Sequence, residues 1–236
     1  MTGAMVNVGI GLMTSILSGG GVWLWQRLGS VRALRRKARF FGMTPGGTCL
    51  IILNNKYDKP GTTHHNDVHA LIEAATLARE VRCEVSVESS DTFLGSNEGS
   101  MEFCIGGPSG SNVRTAGHLA HNLPGVTLRP HGGRDSLAIV VGDEKFRWKR
   151  GEQEYALVAK FTPPGATRPV MLISGQRAVA NHAALHFLRE SYRQVAEVVN
   201  SVEQFCIIVK VSSVDTYGFQ AAALERDVTA AAFSAA

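Results

Sequence analysis

Short apolar runs alternate with segments of helical periodicity along most of the chain. Five short runs have the length of buried strands: Thr48–Leu53, Cys83–Val87, Met101–Ile105, Val170–Ile173 and Phe205–Val211. Between them, three segments repeat apolar residues every three or four positions, which is typical of amphipathic helices; they cover 67–81, 111–123 and 177–200. This order predicts an α/β domain with a largely parallel sheet.

The periodicity also predicts which face of each helix is buried. Asn66 or Asp67 is expected to cap the first helix. The expected buried stripes are Val68, Leu71, Ile72, Ala75 and Ala78 in the first helix, Val113, Ala116, Leu119 and Ala120 in the second, and Ala180, Ala184, Phe187, Leu188, Val195 and Val198 in the third.

Three closely spaced strand-like runs interrupt the α/β order. Ser136–Val141, Phe146–Lys149 and Tyr155–Phe161 predict a small antiparallel insertion, with Val126–Arg129 as a further strand. The breaker at 44–47 marks the expected domain start, and the alanine-rich end predicts a flexible tail. The sequence therefore predicts a domain over residues 44–225 and a tail over 226–236.

The N-terminal segment has a different character, because it contains no charged side chain before Arg27. Val6–Trp25 is long enough to cross a bilayer, and basic residues follow it at once. We therefore expect a single-pass transmembrane anchor over residues 1–28, a basic juxtamembrane linker over 29–43 and a cytoplasmic domain after it. A helix that lies on the membrane or packs on a partner is the alternative.

Small residues recur every fourth position of the predicted anchor, at Gly11, Ser15 and Gly19. Such a stripe lets two membrane helices approach closely. It indicates a possible homo-oligomer through residues 6–25, beside contact with membrane lipid.

Charge and cysteine usage limit the class of partner. The net charge is +4, but six of the 24 basic residues lie between Arg27 and Arg39, so the remaining 18 face 20 acidic residues. Basic character confined to one short segment argues against nucleic-acid binding. Each of the four cysteines lies among apolar residues without zinc-knuckle spacing and is expected to be a small buried side chain.

The turn after the third strand is the strongest candidate site. Strand Met101–Ile105 leads through glycines into a helix, and free N–H groups at a helix N-terminus favour anions. A plain capped turn is the alternative. The pattern is neither G-x-G-x-x-G nor a P-loop. The expected ligand-binding residues are Gly106, Gly107, Pro108, Ser109, Ser111, Asn112 and Thr115.

A second strand–glycine–helix unit follows strand Val170–Ile173. Gly175 and Gln176 are weaker candidates for contact with a ligand in the same cleft, with Asn181 one turn further along the helix, and a plain strand-to-helix connection is the alternative. Because ligands bind at the carboxyl ends of parallel strands, the loop after the first strand is expected at the same rim.

Other polar groups are weaker candidates. His64, His65, Asp67 and His69 form the densest group of potential metal ligands, yet a polar loop with Asp67 as helix cap is favoured, and no metal site is predicted. A carboxylate could act as general base or nucleophile; the candidates are Glu88, Asp91, Glu98 and Glu102. The remaining histidines are expected on helix surfaces (His118, His121, His182 and His186) or in a loop (His131).

The run Ile105-Gly106-Gly107-Pro108, followed by Ser111-Asn112, resembles the Rossmann-like nucleotide-sensing domains of bacterial conflict systems. In those domains a strand leads through a GGP or GG turn into a helix, and an N-terminal membrane helix is common. The resemblance implies a Rossmann-like fold and a nucleotide or nucleotide-derived ligand. It implies no catalytic residue and no established cofactor.

Together these features predict a membrane-anchored cytoplasmic domain that binds a nucleotide-like or phosphorylated small molecule as a sensor or signalling component. One alternative is an enzyme that cleaves an N-glycosidic bond of a nucleotide or NAD, which needs a carboxylate in the same cleft. The other is a protein-binding membrane scaffold without a ligand.

Overall fold

The computed structural model describes residues 25–55, 59, 61–97, 99–108 and 112–234. The chain divides into a first unit that ends at Lys37 and a second that begins at Ala38. Residues 25–41 form helix α1. The following elements are β1 (Thr48–Leu53), α2 (His65–Glu80), β2 (Glu84–Ser89), β3 (Met101–Ile105), α3 (Val113–Asn122), β4 (Val126–Leu128), β5 (Ile139–Val141), β6 (Glu144–Phe146), β7 (Gln153–Phe161), β8 (Val170–Gly175), α4 (Ala178–Val198), β9 (Phe205–Ser212), α5 (Val214–Tyr217), β10 (Ala222–Asp227) and α6 (Thr229–Phe233).

A seven-stranded sheet has the order β10-β9-β7-β8-β3-β1-β2, and a separate three-stranded sheet has the order β4-β5-β6. Strands β8, β3, β1 and β2 are parallel neighbours, whereas β7 and β10 run antiparallel to their neighbours. The predicted α/β fold, with a largely parallel sheet and a small antiparallel sheet, is therefore confirmed.

The prediction was wrong about one strand of the insertion. Residues 155–161 belong to β7, which lies between β8 and β9 in the large sheet. The physical reason is that β7 is apolar on both faces: Ala156 and Val158 pack into one core, and Leu157 and Ala159 pack into the other. A strand that buries both faces suits the centre of a sheet better than a peripheral meander.

The two faces of the large sheet are covered by different elements. Leu77 of α2 and Leu188 of α4 belong to the core on one face. Leu119 of α3 and Ile139 of the small sheet belong to the core on the other face. The connections that leave β1 and β8 therefore cross one face, while the connection that leaves β3, between them, crosses the opposite face. Ligand crevices form where the connections of neighbouring strands diverge in this way.

The predicted helix faces were partly wrong. Val113 is 69% exposed and Ile72 is 53% exposed, and Val68 and Val198 are exposed as well. In α2 the buried face is centred on the small side chains of Ala70 and Ala74. Helix α2 begins at His65 with His64 as N-cap and no side-chain capping bond, so the predicted cap at Asn66 or Asp67 was also wrong.

Buried residues lie on both sides of the predicted domain over 44–225. In place of a linker over 29–43, helix α1 runs to residue 41 and buries Phe40 and Phe41. The Phe40 ring stacks on Phe205 with 5.4 Å between centroids. In place of a flexible tail over 226–236, the chain ends in β10 and α6, where Val228 and Ala232 are buried in the second core.

Most of the predicted anchor, including Gly11, Ser15 and Gly19, lies outside the described residues. Within the described part of the chain, no helix combines the length and the apolar character needed to cross a bilayer.

The four cysteines are buried free thiols, as predicted. Burial raises the pKa of Cys104 to about 12 and also raises that of Cys49, Cys83 and Cys206.

Lys160 is a charged side chain inside the domain. Its Nζ donates hydrogen bonds to the backbone oxygens of Arg39, at 3.1 Å, and Val202, at 2.6 Å. The Glu203 carboxylate lies 3.8 Å away. Because Arg39 lies in the last turn of α1, Lys160 adds a second donor to a helix-end carbonyl that also accepts the Gly42 N–H at 3.1 Å.

We expect Lys160→Met to lower the free energy of unfolding by about 1–3 kcal/mol, because it leaves two carbonyls without this donor. Urea denaturation of the full chain measures the change, with Lys210→Met on β9 as the matched control. Equal effects of the two substitutions would contradict the capping role.

The wild type and the Lys160→Met variant also allow a pH test. Burial lowers the pKa of Lys160 to about 8, from 10.5 in the unfolded chain. Between these values the unfolded chain holds more protons at this side chain, so its contribution to stability rises with pH. We therefore expect the stability of the wild type relative to Lys160→Met to rise from about pH 8 to pH 10.5.

Candidate functional site

A cleft of about 1060 Å³ opens at the carboxyl ends of β1, β3 and β8. The loop after β1 and both glycine turns meet in it. The lining residues are Asn54, Asn55, His64, Asp67, Gly107, Pro108, Leu128, Arg129, Pro130, His131, Leu137, Ile139, Ser174, Gly175, Gln176, Arg177, Ala178 and Asn181.

The turn after β3 needs glycine for close packing. Gly106 has φ +119°, and a Cβ there would lie 2.5 Å from the Cβ of Asn54. At Gly107 a Cβ would make only ordinary contacts, with Ser174 Oγ at 3.8 Å and the Gly175 oxygen at 3.9 Å. The Gly107 backbone therefore lines the cleft beside Ser174. Ser109 and Ser111 lie outside the described residues.

Asn112 and Thr115 have a different position from the predicted one. Asn112 Oδ1 accepts a hydrogen bond from the Thr115 N–H at 2.9 Å, as a helix cap. Thr115 Oγ1 donates to the backbone oxygen of Gly106 at 3.0 Å. Both residues are buried and neither lines the cleft. They hold the turn in place, and their predicted contact with a ligand finds no support in the geometry.

The turn after β8 is tied to helix α2 by a chain of hydrogen bonds. The Gly175 N–H donates to Asn181 Oδ1 at 2.6 Å, and Asn181 Nδ2 donates to Asp67 Oδ1 at 2.8 Å. A Cβ on Gly175 would lie 2.8 Å from both Ala180 Cβ and the Asn181 nitrogen. Asn181 thus joins β8, α4 and α2 at the floor of the cleft.

Gln176 lines the cleft, but its side-chain amide is engaged elsewhere. Its Oε1 accepts from the Tyr155 N–H and its Nε2 donates to the Phe146 oxygen, both at 2.9 Å. Gln176 therefore joins the small sheet to the large one.

Ser174 differs from Asn181 and Gln176, whose side chains form hydrogen bonds. It is 1% exposed, and its Oγ has no hydrogen-bond partner within the described part of the chain. Such a buried hydroxyl without a partner costs free energy unless a further group supplies the bond. Ser174 Oγ is therefore a free hydrogen-bonding group inside the cleft.

The lining contains two arginines. Arg177 pairs with the buried Glu154 and lies over the Trp148 ring at 5.7 Å. Arg129 comes from the loop between β4 and β5, as does His131, and both are exposed. Among the described residues, Arg129 has no ion pair. An anionic ligand would therefore meet one cation without a counter-charge.

Asp67 is the one acidic side chain among the described lining residues. Burial raises its pKa, against the lowering effects of the Asn181 hydrogen bond and nearby His64. It lies in the first turn of α2 rather than at the cap. A carboxylate therefore faces the cleft, as the enzyme alternative requires.

The other carboxylates considered above do not line the cleft, and Glu98 lies outside the described residues. Glu102 is fully buried and receives hydrogen bonds from Arg114 and His118 on α3. Burial by itself would raise the pKa of Glu102, but these hydrogen bonds outweigh it and hold the pKa below its usual value. Cys104 also lies within ligand distance of this group, but the Arg114 guanidinium occupies both carboxylate oxygens, which disfavours a metal ion there.

Two histidines predicted on helix surfaces are not there. His118 contacts Glu102, and its ring packs against Phe161 at 5.5 Å. His182 is 5% exposed and stacks on Phe219. The periodicity of the helices carried no sign of either contact, because both involve residues distant in sequence.

Sequence reasoning did not select several lining residues. Asn54 and Asn55 directly follow β1, so the strand-end rule could have selected them. The apolar wall from Leu128, Leu137 and Ile139 had no such signal, because it depends on where the small sheet packs.

No protein-family model matches the chain, and a search of curated proteins finds no match.

We expect Asn181→Ala to lower the free energy of unfolding by about 1–3 kcal/mol, because it leaves the Gly175 N–H and the Asp67 carboxylate without this buried partner. Urea denaturation measures the loss. Asn122→Ala is the control, since Asn122 makes a single 3.3 Å bond to His118 within its own helix. A loss no larger than that of the control would contradict the role of Asn181.

Proposed function

We propose that the cleft binds a nucleotide-like or phosphorylated small molecule. The observation that carries the proposal is Ser174 Oγ, a buried hydroxyl without a partner in the described part of the chain, next to the Gly107 backbone that lines the cleft. The first turns of α2 and α4 border the same space, and N–H groups at helix N-termini favour anions. Arg129 adds a cation at the rim.

The cleft has two kinds of wall, which suits a ligand with an apolar ring and a charged group. Pro108, Leu128 and Leu137 provide apolar surface, while Asn54 and Asn55 provide amides. A volume of about 1060 Å³ is at the upper end of the usual range of ligand sites. These features favour a nucleotide over a small phosphorylated sugar.

The proposed role is that of a membrane-attached sensor or signalling component. The support is the uncharged run Val6–Trp25, the basic residues after it, and the exposed Trp25, Leu28 and Val31 on α1. The resemblance to bacterial nucleotide-sensing domains fits this role. Attachment to lipid, a cytoplasmic location and self-association through residues 6–25 belong to the same proposal.

Native mass spectrometry of the full chain, with a thermal-shift screen of nucleotides and NAD, tests ligand binding. We expect a co-purified small molecule or a stabilising shift with one compound class. Ser174→Ala should retain the fold and weaken binding of that compound by about 5–15-fold, the loss of one hydrogen bond of about 1–1.5 kcal/mol.

Gly107→Val is the second variant, because its Cβ would make only ordinary contacts, at 3.8 Å from Ser174 Oγ and 3.9 Å from the Gly175 oxygen, while its methyl groups add bulk beside Ser174. We expect it to weaken binding more strongly than Ser174→Ala. Gly117→Ala on α3, where a Cβ meets nothing within 4 Å, is the matched control. Unchanged affinity in a folded Gly107→Val protein would exclude this cleft as the site. An absence of bound compound and of any shift would favour the scaffold alternative.

A second candidate function is hydrolysis of an N-glycosidic bond, which the position of Asp67 in the cleft favours. In this reaction the bond between C1′ and the base nitrogen breaks, water supplies the new hydroxyl on C1′, and its remaining proton passes to the base. The Asp67 carboxylate would act as general base toward that water.

The test is release of free base from nucleosides, or of nicotinamide from NAD, followed by chromatography. Asp67→Asn keeps an oxygen for the Asn181 bond but removes the base, so we expect turnover to fall by about 10²–10⁴-fold while binding persists. Binding without release in the wild type would exclude the enzyme and retain the sensor.

A further inference from the structure

Two histidines at the start of α2 bring their ring nitrogens together. His65 Nε2 and His69 Nε2 are 3.1 Å apart, and the rings meet edge to face with 4.5 Å between centroids. The residues are one helical turn apart, which places them on the same side of the helix. His65 is exposed to solvent and His69 is half-buried.

This spacing matches the bite of a single transition-metal ion. Two nitrogens 3.1 Å apart can both lie about 2.0–2.1 Å from one ion, with an N–metal–N angle of about 100°. That angle lies between square-planar and tetrahedral coordination. Imidazole nitrogen is a ligand of zinc, nickel and copper, whereas magnesium and calcium prefer oxygen.

Helix α4 contributes a histidine ring that packs against the pair. The His182 ring stacks on His69 with 5.1 Å between centroids and 17° between planes. Phe219 stacks on the other side of His182 at 3.9 Å. His182 is almost fully buried, and its Nδ1 has no hydrogen-bond partner among the described residues. The stack fixes the orientation of His69 and places a third imidazole next to the pair.

The first turn of α2 also carries two residues of the cleft, His64 and Asp67. His64 is the N-cap but makes no side-chain capping bond. An ion held by His65 and His69 would link the first helical turn to the second, which is the stabilisation that the missing cap would otherwise provide.

We propose that His65 and His69 chelate a divalent transition-metal ion of the imidazole-binding class, and that this ion stiffens the end of α2 that borders the cleft. Metal binding stands by itself as a proposal. The effect on the cleft rests on the proposed function.

Isothermal titration of the full chain, purified without a polyhistidine tag, tests metal binding with Zn²⁺ and Ni²⁺, and Mg²⁺ is the negative probe. We expect saturable binding of one Zn²⁺ or Ni²⁺ per chain, no binding of Mg²⁺ and a rise in Tm with zinc. His65→Ala and His69→Gln should each weaken zinc binding by at least about tenfold. Loss of a residue that only supports a metal ligand already lowers affinity by about 10–100-fold.

His121→Ala is the matched control, since His121 is an exposed helical histidine that bonds only to Gly117 within α3. It should bind zinc like the wild type. Because the His65 side chain is exposed, we expect His65→Ala to retain the fold. This variant therefore tests the site even if His69→Gln fails to fold. A lack of saturable binding, or equal affinity in His65→Ala and the wild type, would overturn the site.

Ser174→Ala separates the two proposals, because it should retain zinc binding whether or not the cleft binds a nucleotide. If the wild type binds zinc but zinc leaves nucleotide affinity unchanged, the metal site stands and its link to the cleft is excluded. If zinc binds and no nucleotide does, the proposed function fails while the metal site remains.

Discussion

The position of β3 between β1 and β8 is the constraint on which the rest of the structure depends. The connections from β1 and β8 cross one face of the sheet and the connection from β3 crosses the other. At the carboxyl ends of the strands, the connections therefore leave toward opposite faces of the sheet, and an open crevice forms between them. Both glycine turns lie in these connections. Gly106 must pass the Asn54 side chain closely, and Gly175 must turn directly into α4.

Buried polar groups then hold the elements around the crevice. Asn181 links β8 to α2, Gln176 links the small sheet to the large one, and Glu102 holds α3 through Arg114. Each of these side chains forms hydrogen bonds within the protein, because a buried polar group without a partner destabilises the fold. Against that background Ser174 is distinctive: its hydroxyl is as buried as theirs but bonds to nothing in the described part of the chain.

Helix α2 brings two kinds of chemistry to the same place. Asp67 in its first turn faces the cleft, while His65 and His69 lie one turn apart and His69 packs on His182 of α4, which in turn stacks on Phe219. Ala70 and Ala74 on the buried face of α2 belong to the core that α2 shares with α4. The packing of two helices therefore decides both the floor of the cleft and the geometry of the histidine pair.

The sequence by itself determined most of the strands, the two glycine turns and the α/β class, because these depend on local composition and on periodicity over a few residues. It did not determine that Gly107 and Gly175 line one cleft, because strand order cannot be read from local patterns. Only the tertiary structure decided the rotation of α2 and α3, the place of β7, and the burial of Phe40 and Val228. Only the tertiary structure decided, likewise, that Asp67 contacts Asn181 and that His69 contacts His182. These depend on contacts between residues far apart in the chain, and amphipathic periodicity does not encode which partner a helix or strand will meet.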